Sequence, residues 1–261
     1  MRSPPLLLLA VLFLSSTNAP AETPEEKGLA IAKETSARDD GFGDFTANME
    51  MVLRNKQGEE SRRAIRIKTL EVVNDGDKSM SLFDEPADVK GTTMLTFSHK
   101  TEDDDQWLYL PALKRVKRIA SNNKSGAFMG SEYAYEDIGS QEVEKYTYKY
   151  LRDETCQDAP CFVIERYPVS KHSGYTRQVV WLDQAEYRVW KIDFYDRKGS
   201  LLKTLTFDRY ARYVEKYWRP GEMLMVNHQT GKSTTLKWHD YQFRNGLSAA
   251  DFTQEALARA R

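Results

Sequence analysis

The chain is 261 residues long and nearly neutral, with 38 lysines and arginines against 39 aspartates and glutamates and a formal net charge of −1. Charge balanced in this way exerts no global attraction on nucleic acid, so we expect no nucleic-acid partner. Five tryptophans and fourteen tyrosines favour strands over helices.

Residues 1–21 have the pattern of an export signal. Arg2 precedes an apolar run over residues 6–14, and Ala19 and Ala21 frame a small-residue cleavage site before Glu22. The run is too short to span a bilayer, and no cysteine follows the cleavage site to receive a lipid anchor. We therefore expect a soluble, unanchored protein of one domain, residues 22–261, with a net charge of −2 once Arg2 is removed.

The predicted mature chain begins with a helix and continues almost entirely as strands. Residues 24–37 carry an apolar stripe, with acidic residues first and the breaker Asp39-Asp40-Gly41 last. Alternating apolar and polar residues, separated by short turns, then predict an antiparallel meander. The predicted strands cover residues 45–53, 65–67, 79–83, 91–98, 106–111, 113–119, 146–152, 162–167, 178–182, 188–195, 201–213, 222–228 and 233–243. Ser248 is predicted to cap a final helix over residues 249–260.

The most unusual stretch runs from residue 105 to residue 138. It contains a strand with two aromatic residues on one face, a basic run, a polar loop and an apolar pair flanked by glycines: Trp107 and Tyr109; Lys114, Arg115, Lys117 and Arg118; residues 121–126; and Phe128 and Met129. An amphipathic loop of this kind suits a lid beside a cavity. The alternatives are a loop packed down as a small separate core and an ordinary solvated basic face.

Two cysteines occur, Cys156 and Cys161, and in an exported chain they should pair. Four residues including Pro160 separate them, whereas thiol-exchange sites typically have two residues between their cysteines, at a helix start. The spacing predicts a structural disulfide across a hairpin loop, and a redox site is the alternative.

A closed sheet of this size encloses a large apolar interior, which is either packed by side chains or left as a cavity. Six of the seven methionines of the mature chain lie on predicted strands, where flexible thioethers suit either an apolar ligand or an irregular core. We find no histidine spacing typical of a metal site, no Gly-x-Ser-x-Gly elbow and no phosphate-binding glycine loop. We expect no metal, no cofactor and no catalytic residues, although a hydrolase with dispersed residues leaves no sequence signature.

The sequences DQWLYLPALKRVKRI (residues 105–119) and SGAFMGSEYAYED (residues 125–137) resemble the outer-membrane lipoprotein-sorting family, relatives of the periplasmic lipoprotein carrier LolA. PADVKGT at residues 86–92 is similar to the strand-entry segment of that family. The helix-then-meander layout extends the resemblance over nearly all of the mature chain.

The resemblance implies a mainly β (α+β) fold, an incomplete and strongly curved antiparallel β-barrel with helices covering its open side. It implies a periplasmic location, an apolar cavity that shields acyl chains, and an inner-membrane transporter partner of the resistance–nodulation–division (RND/MMPL) class. It assigns no gating residue to this chain and does not account for the cysteine pair.

We therefore expect a monomeric, non-enzymatic carrier of lipid or lipoprotein acyl chains. Its cavity is predicted to be lined by Met49, Met51, Ile65, Ile67, Met94, Trp107 and Tyr109, with Phe128 and Met129 at the mouth. Lys114, Arg115, Lys117 and Arg118 are predicted to meet anionic head groups or an acidic membrane partner. The alternative is a sensor or adaptor module that docks on a transporter without carrying cargo.

Overall fold

The computed structural model describes residues 21–259, so all of the predicted export signal except Ala21 lies outside the described residues. Within this range the chain forms two α-helices, α1 Pro24–Asp39 and α2 Gln254–Arg259. The strands are β1 Asp44–Arg54, β2 Glu60–Leu70, β3 Lys78–Glu85, β4 Thr93–Phe97, β5 Asp105–Leu110, β6 Arg115–Ile119, β7 Tyr146–Cys156, β8 Ala159–Pro168, β9 Tyr175–Asp183, β10 Val189–Asp196, β11 Leu201–Asp208, β12 Ala211–Tyr213, β13 Tyr217–Arg219, β14 Glu222–Asn227 and β15 Ser233–Phe243.

Thirteen of these strands form one antiparallel sheet, in the order β6-β5-β4-β3-β2-β1-β15-β14-β11-β10-β9-β8-β7. Strands β12 and β13 pair separately as a small hairpin. The sheet has two edges, β6 and β7, so the barrel that it forms is not closed. The predicted antiparallel meander is confirmed.

The sheet must curve strongly, because one hydrophobic cluster collects side chains from nearly its whole width. A flat sheet of thirteen strands would be about 58 Å wide at ~4.8 Å per strand. Yet Leu108 of β5, Met49 of β1 and Ile164 of β8 belong to a single buried cluster. We call this the main cluster, and the surface of the sheet that faces it the inner face. The prediction of an incomplete, curved antiparallel β-barrel is confirmed.

Helix α1 begins at a capping box and packs across β7. The Thr23 hydroxyl accepts from the Glu26 amide, and the Glu26 carboxylate accepts from the Thr23 amide, which satisfies donors that a helix start leaves free. The buried face of the helix contains Gly28, Ile31 and Ala32. Gly28 lies so close to the strand that an added Cβ would stand 2.8 Å from the Tyr150 amide nitrogen.

The single helix predicted over residues 249–260 is instead divided in two. A 3-10 turn, Ala249–Asp251, is followed by α2 at Gln254, and Ala260 lies outside the described residues. Ser248 does cap, but it caps the short turn, through Asp251. The chain breaks because Phe252 turns into a second buried cluster, after which Thr253 caps the new helix through the Ala256 amide.

The cysteines lie at the β7–β8 hairpin and are bonded to each other, with their Cα atoms 5.9 Å apart. Gln157 and Asp158 form the two-residue turn between them, both with positive φ, as the tight hairpin turn requires. This geometry agrees with the predicted structural disulfide.

Replacing Gly28 with alanine should destabilise the protein. Gly→Ala normally stabilises a helix by ~1 kcal/mol, but here the new methyl group would collide with the backbone of β7, and such overpacking costs about 1–3 kcal/mol. We expect a lower free energy of unfolding in urea. The matched control is Ala30→Gly on the exposed face, which should cost only the ordinary helix propensity. A stabilised Gly28→Ala variant would contradict this account of how α1 packs.

Candidate functional site

The topology forces one segment across the open side of the barrel. Strands β6 and β7 follow one another in the chain but form opposite edges of the sheet. Residues 120–145, which we call the crossing segment, must therefore span the gap. The segment contains four short 3-10 turns: Ser121–Asn123, Phe128–Gly130, Tyr135–Asp137 and Val143–Lys145.

The crossing segment fills the barrel interior with its own side chains. Phe128 and Tyr133 are 1% and 2% exposed and belong to the main cluster. The ring of Phe128 lies 6.0 Å from that of Phe83 and 5.8 Å from that of Tyr135. Met129 is partly buried against the same cluster. The segment thus packs into the main core and does not form a small separate one.

Seven of the nine residues predicted to form the cavity meet in or against the main cluster. Met49, Met51, Ile65, Ile67 and Met94 are buried there with Phe128, and Met129 packs against them. Trp107 and Tyr109 lie on the outer face of β5, where they pack against a second cluster of Met80, Leu95, Phe252 and Leu257.

The face of β5 that carries Leu108 is therefore the inner face, whereas the prediction placed Trp107 and Tyr109 inside. Leu108 points inward, and because side chains alternate along a strand, Trp107 and Tyr109 must point outward. Alternation alone separates the two faces of a strand but does not tell which of them is inner, and both faces of β5 are apolar.

Arg63 links the crossing segment to the sheet through a hydrogen bond. Its side chain points inward from β2, and its Nη1 donates a hydrogen bond to the carbonyl oxygen of Met129. The guanidinium lies 5.9 Å from the Phe83 ring. Burial lowers the pKa of Arg63, opposed by the charge of Asp88. The neighbouring Arg62 points outward and pairs with Glu50 and Glu60 on the surface.

A buried ion pair between Lys203 and Asp137 links the crossing segment to β11. Lys203 of β11 is 4% exposed, and its Nζ lies 2.8 Å from Asp137 Oδ2 and 2.8 Å from the carbonyl oxygen of Glu132. The hydroxyl of Tyr175 donates to both carboxylate oxygens of Asp137 at 3.0 Å. Burial raises the pKa of Tyr175 well above its ordinary value, and the nearby Asp137 charge adds to the effect.

Arg63 and Lys203 were not among the predicted site residues, although the strand period contains a signal for them. Arg63 is in phase with Ile65 and Ile67, and Lys203 is in phase with Leu205, so each cation occupies an inner-face position. A charged residue in phase with an apolar strand face is the feature that would have identified them.

Among the surface cavities formed by residues 21–259, two lie beside elements described above. One, of about 320 Å³, is a polar cleft beside the crossing segment, where Lys124 pairs with Asp103 and Lys145 with Asp104. The other, of about 420 Å³, is a groove on the outer face of β1–β3 with Met80 and Leu82 among its lining residues.

The basic run occupies the exposed edge strand β6 and the turn before it. Lys114, Arg115, Lys117 and Arg118 are all exposed. Arg118 lies opposite Trp107 on the outer face, where it pairs with Asp105, whereas Lys117 lies opposite Leu108. The positive charges are therefore divided between the two faces of one edge.

Arg63→Leu should loosen the crossing segment without unfolding the sheet. The lost bond involves a charged donor, and such bonds contribute about 1.5–3 kcal/mol. We expect hydrogen exchange at the Phe128 and Ser131 amides to become roughly tenfold faster or more. Arg62→Leu, one residue away on the opposite face, is the matched control and should leave these amides unchanged. Equal effects of the two variants would show that Arg63 does not restrain the segment.

The contribution of Asp77 to the stability of the protein should fall as pH rises from about 4 to about 7. Burial, and next the charge of Glu142, raise the pKa of Asp77 to about 7, whereas an unfolded aspartate titrates near ~3.9. Between these values the folded protein binds the extra proton, so the stability present at low pH is lost as pH rises. Asp77→Asn should remove this part of the slope. Parallel wild-type and variant curves in urea denaturation would refute the assignment.

Comparison with known proteins places the chain in a family. A family model described as "Uncharacterized protein" matches residues 75–259, and no curated protein matches the chain in sequence. A domain assigned to an outer membrane lipoprotein-sorting protein from Vibrio parahaemolyticus is 58% identical, covering 90% of this chain and 100% of its own, with a TM-score of 0.89.

Two further solved structures are similar. A DUF1329 family protein from Desulfovibrio piger is 30% identical over 90% of this chain and 99% of its own, with a TM-score of 0.86. A LolA superfamily protein from Nitrosomonas europaea shares the fold at 21% identity over 88% of this chain and 98% of its own, with a TM-score of 0.71. No helix in the described part of the chain is both long and apolar enough to cross a bilayer. The chain belongs to the outer-membrane lipoprotein-sorting protein family that residues 105–137 resemble, and its fold is LolA-like.

Proposed function

We propose that the protein is a periplasmic carrier that holds acyl chains of a lipid or lipoprotein inside its open barrel. The observation that carries the proposal is the position of Phe128 and Tyr133. These large side chains fill the interior, yet they belong to a segment that lies outside every strand pairing of the sheet. Movement of the crossing segment would exchange them for acyl chains while the barrel itself stays intact.

The free energy of burying an acyl chain exceeds that of burying the two side chains that it would displace. Exposing two large apolar side chains costs about 1.5–3 kcal/mol each. Burying an acyl chain contributes ~0.8 kcal/mol per methylene, so a chain of fourteen methylenes gives about 11 kcal/mol before the entropy of association is subtracted. The gross free energy of burying one acyl chain is therefore roughly two to four times the cost of exposing both rings.

The export pattern at residues 1–21 supports a periplasmic location, as does the sorting role named for the Vibrio relative. Carriage itself requires no catalytic step. We propose that the exposed cations of β6 meet anionic head groups or an acidic surface of an inner-membrane RND-type transporter.

The adaptor function has one observation in its favour: the interior is already filled. A module that never opened would present the same core and the same basic edge. The two functions differ in one measurable property, which is uptake of lipid.

Phe128→Ala should strengthen the binding of a dansyl-labelled undecanoic acid, because it removes a side chain that the ligand must displace. Phe97→Ala is the matched control. Phe97 packs against Trp107 on the outer face, so its loss should destabilise the protein without changing binding. Absence of binding to the wild type and both variants, with no lipid seen by native mass spectrometry of periplasmic protein, would refute carriage and favour the adaptor.

Reversing two charges on the edge strand tests docking separately. Arg115→Glu/Arg118→Glu should abolish flotation with vesicles rich in phosphatidylglycerol and leave the binding of the dansyl probe unchanged. Lys198→Glu, in the exposed β10–β11 turn, is the control. Flotation that survives the double reversal would show that β6 is not the docking edge.

A further inference from the structure

We propose that the cargo has an anionic head group, a carboxylate or a phosphate, and that this group replaces Asp137 on Lys203 when the crossing segment leaves the interior. The inference rests on the carrier function proposed above and specifies the chemical class of its ligand. It derives from the hydrogen-bond donors that would remain on the inner face once the crossing segment has moved out of the interior.

Lys203 belongs to the sheet and cannot leave with the segment. It is held in the β11 ladder opposite Asn227 of β14 and Phe194 of β10. Its ammonium lies 5.1 Å from the ring of Tyr175 and 5.2 Å from that of Phe194. A cation among buried aromatic rings requires a counter-charge, because removing one partner of a buried ion pair is strongly destabilising.

The two oxygens that Lys203 contacts both lie on the crossing segment. They are the Asp137 carboxylate and the Glu132 carbonyl. Two neighbouring donors depend on the segment as well, since Tyr175 donates to Asp137 and the amide of Asn227 donates to the Glu132 side chain at 2.7 Å. Withdrawal of the segment therefore leaves three donors on the sheet, Lys203, Tyr175 and Asn227, without these acceptors.

This set of donors matches an oxyanion. Lys203 and Tyr175 already share one carboxylate, and Lys203 and Asn227 both contact Glu132. A carboxylate or phosphate group can accept from several such donors at once and supplies the missing charge. An uncharged head group would leave the ammonium without a counter-ion. Arg63, another inward cation, is only half-buried and has Asp88 nearby, so it depends less on a ligand.

Three twelve-carbon amphiphiles test the proposal: laurate, dodecyl phosphate and dodecanol, each below its micelle concentration at pH 8, in equilibrium dialysis with the full mature protein. We expect the wild type to bind the two anions roughly ten- to a hundredfold more tightly than dodecanol. The tighter of the two anions shows whether the charge is supplied by a carboxylate or a phosphate. Wild-type affinities for dodecanol equal to those for the anions would overturn the proposal.

Lys203→Met should reduce this preference to about one. Because that variant leaves Asp137 buried without its cation, the double variant Lys203→Met/Asp137→Asn removes both charges together and keeps the test available if the single variant fails to fold. Lys191→Met, which removes a partly exposed lysine paired with Asp193 on the outer face of the adjacent strand, is the control and should keep the full preference.

The possible failures are distinguishable. Binding of all three amphiphiles with equal affinity, or a preference that survives loss of Lys203, overturns the head-group inference and leaves carriage standing. Failure of the folded wild type to bind any of the three overturns both.

Discussion

The placement of β6 and β7 at opposite edges of one sheet is the constraint on which the rest of the structure depends. Successive strands of a meander normally pair, but here the chain must travel from one edge of the barrel to the other. A segment that makes this crossing lies over the opening, and its apolar side chains have only the interior in which to be buried. The filled core and the buried ion pair both follow from that path.

The crossing segment is held differently from the sheet beneath it. The sheet is a continuous ladder, whereas the segment is attached by separate contacts, among them those from Arg63, Lys203 and Gln106. Separate contacts can be lost together without opening a ladder, because each strand keeps its own neighbours. Regions with few backbone pairings also open at lower free energy than core strands. The sheet can therefore stay intact while the crossing segment moves.

Much of the fold could be predicted from the sequence, because local patterns determine it. The alternation in β1, the acidic start and Asp39-Asp40-Gly41 end of α1, and the cysteine spacing each specify local geometry, and the meander follows from short turns. Which face of β5 points inward could not be predicted, because both faces are apolar and one of them is covered by α2, a helix far along the chain. The cluster around Lys203 joins β11 to the crossing segment through a contact between residues 66 positions apart, which no local pattern encodes.

The second cluster makes the barrel mechanically asymmetric. Strands β3, β4 and β5 are packed on both faces, by the main cluster inside and by α2 with Phe252 and Leu257 outside. At the opposite edge, β7 has a largely exposed outer face. Bending the doubly packed strands would disturb two cores, whereas bending β7 would disturb one. Any widening of the barrel should therefore occur by displacement of β7 relative to the stiffer strands β3–β5. Trp107 and Tyr109 contribute to that stiffness by packing on the outer face of β5.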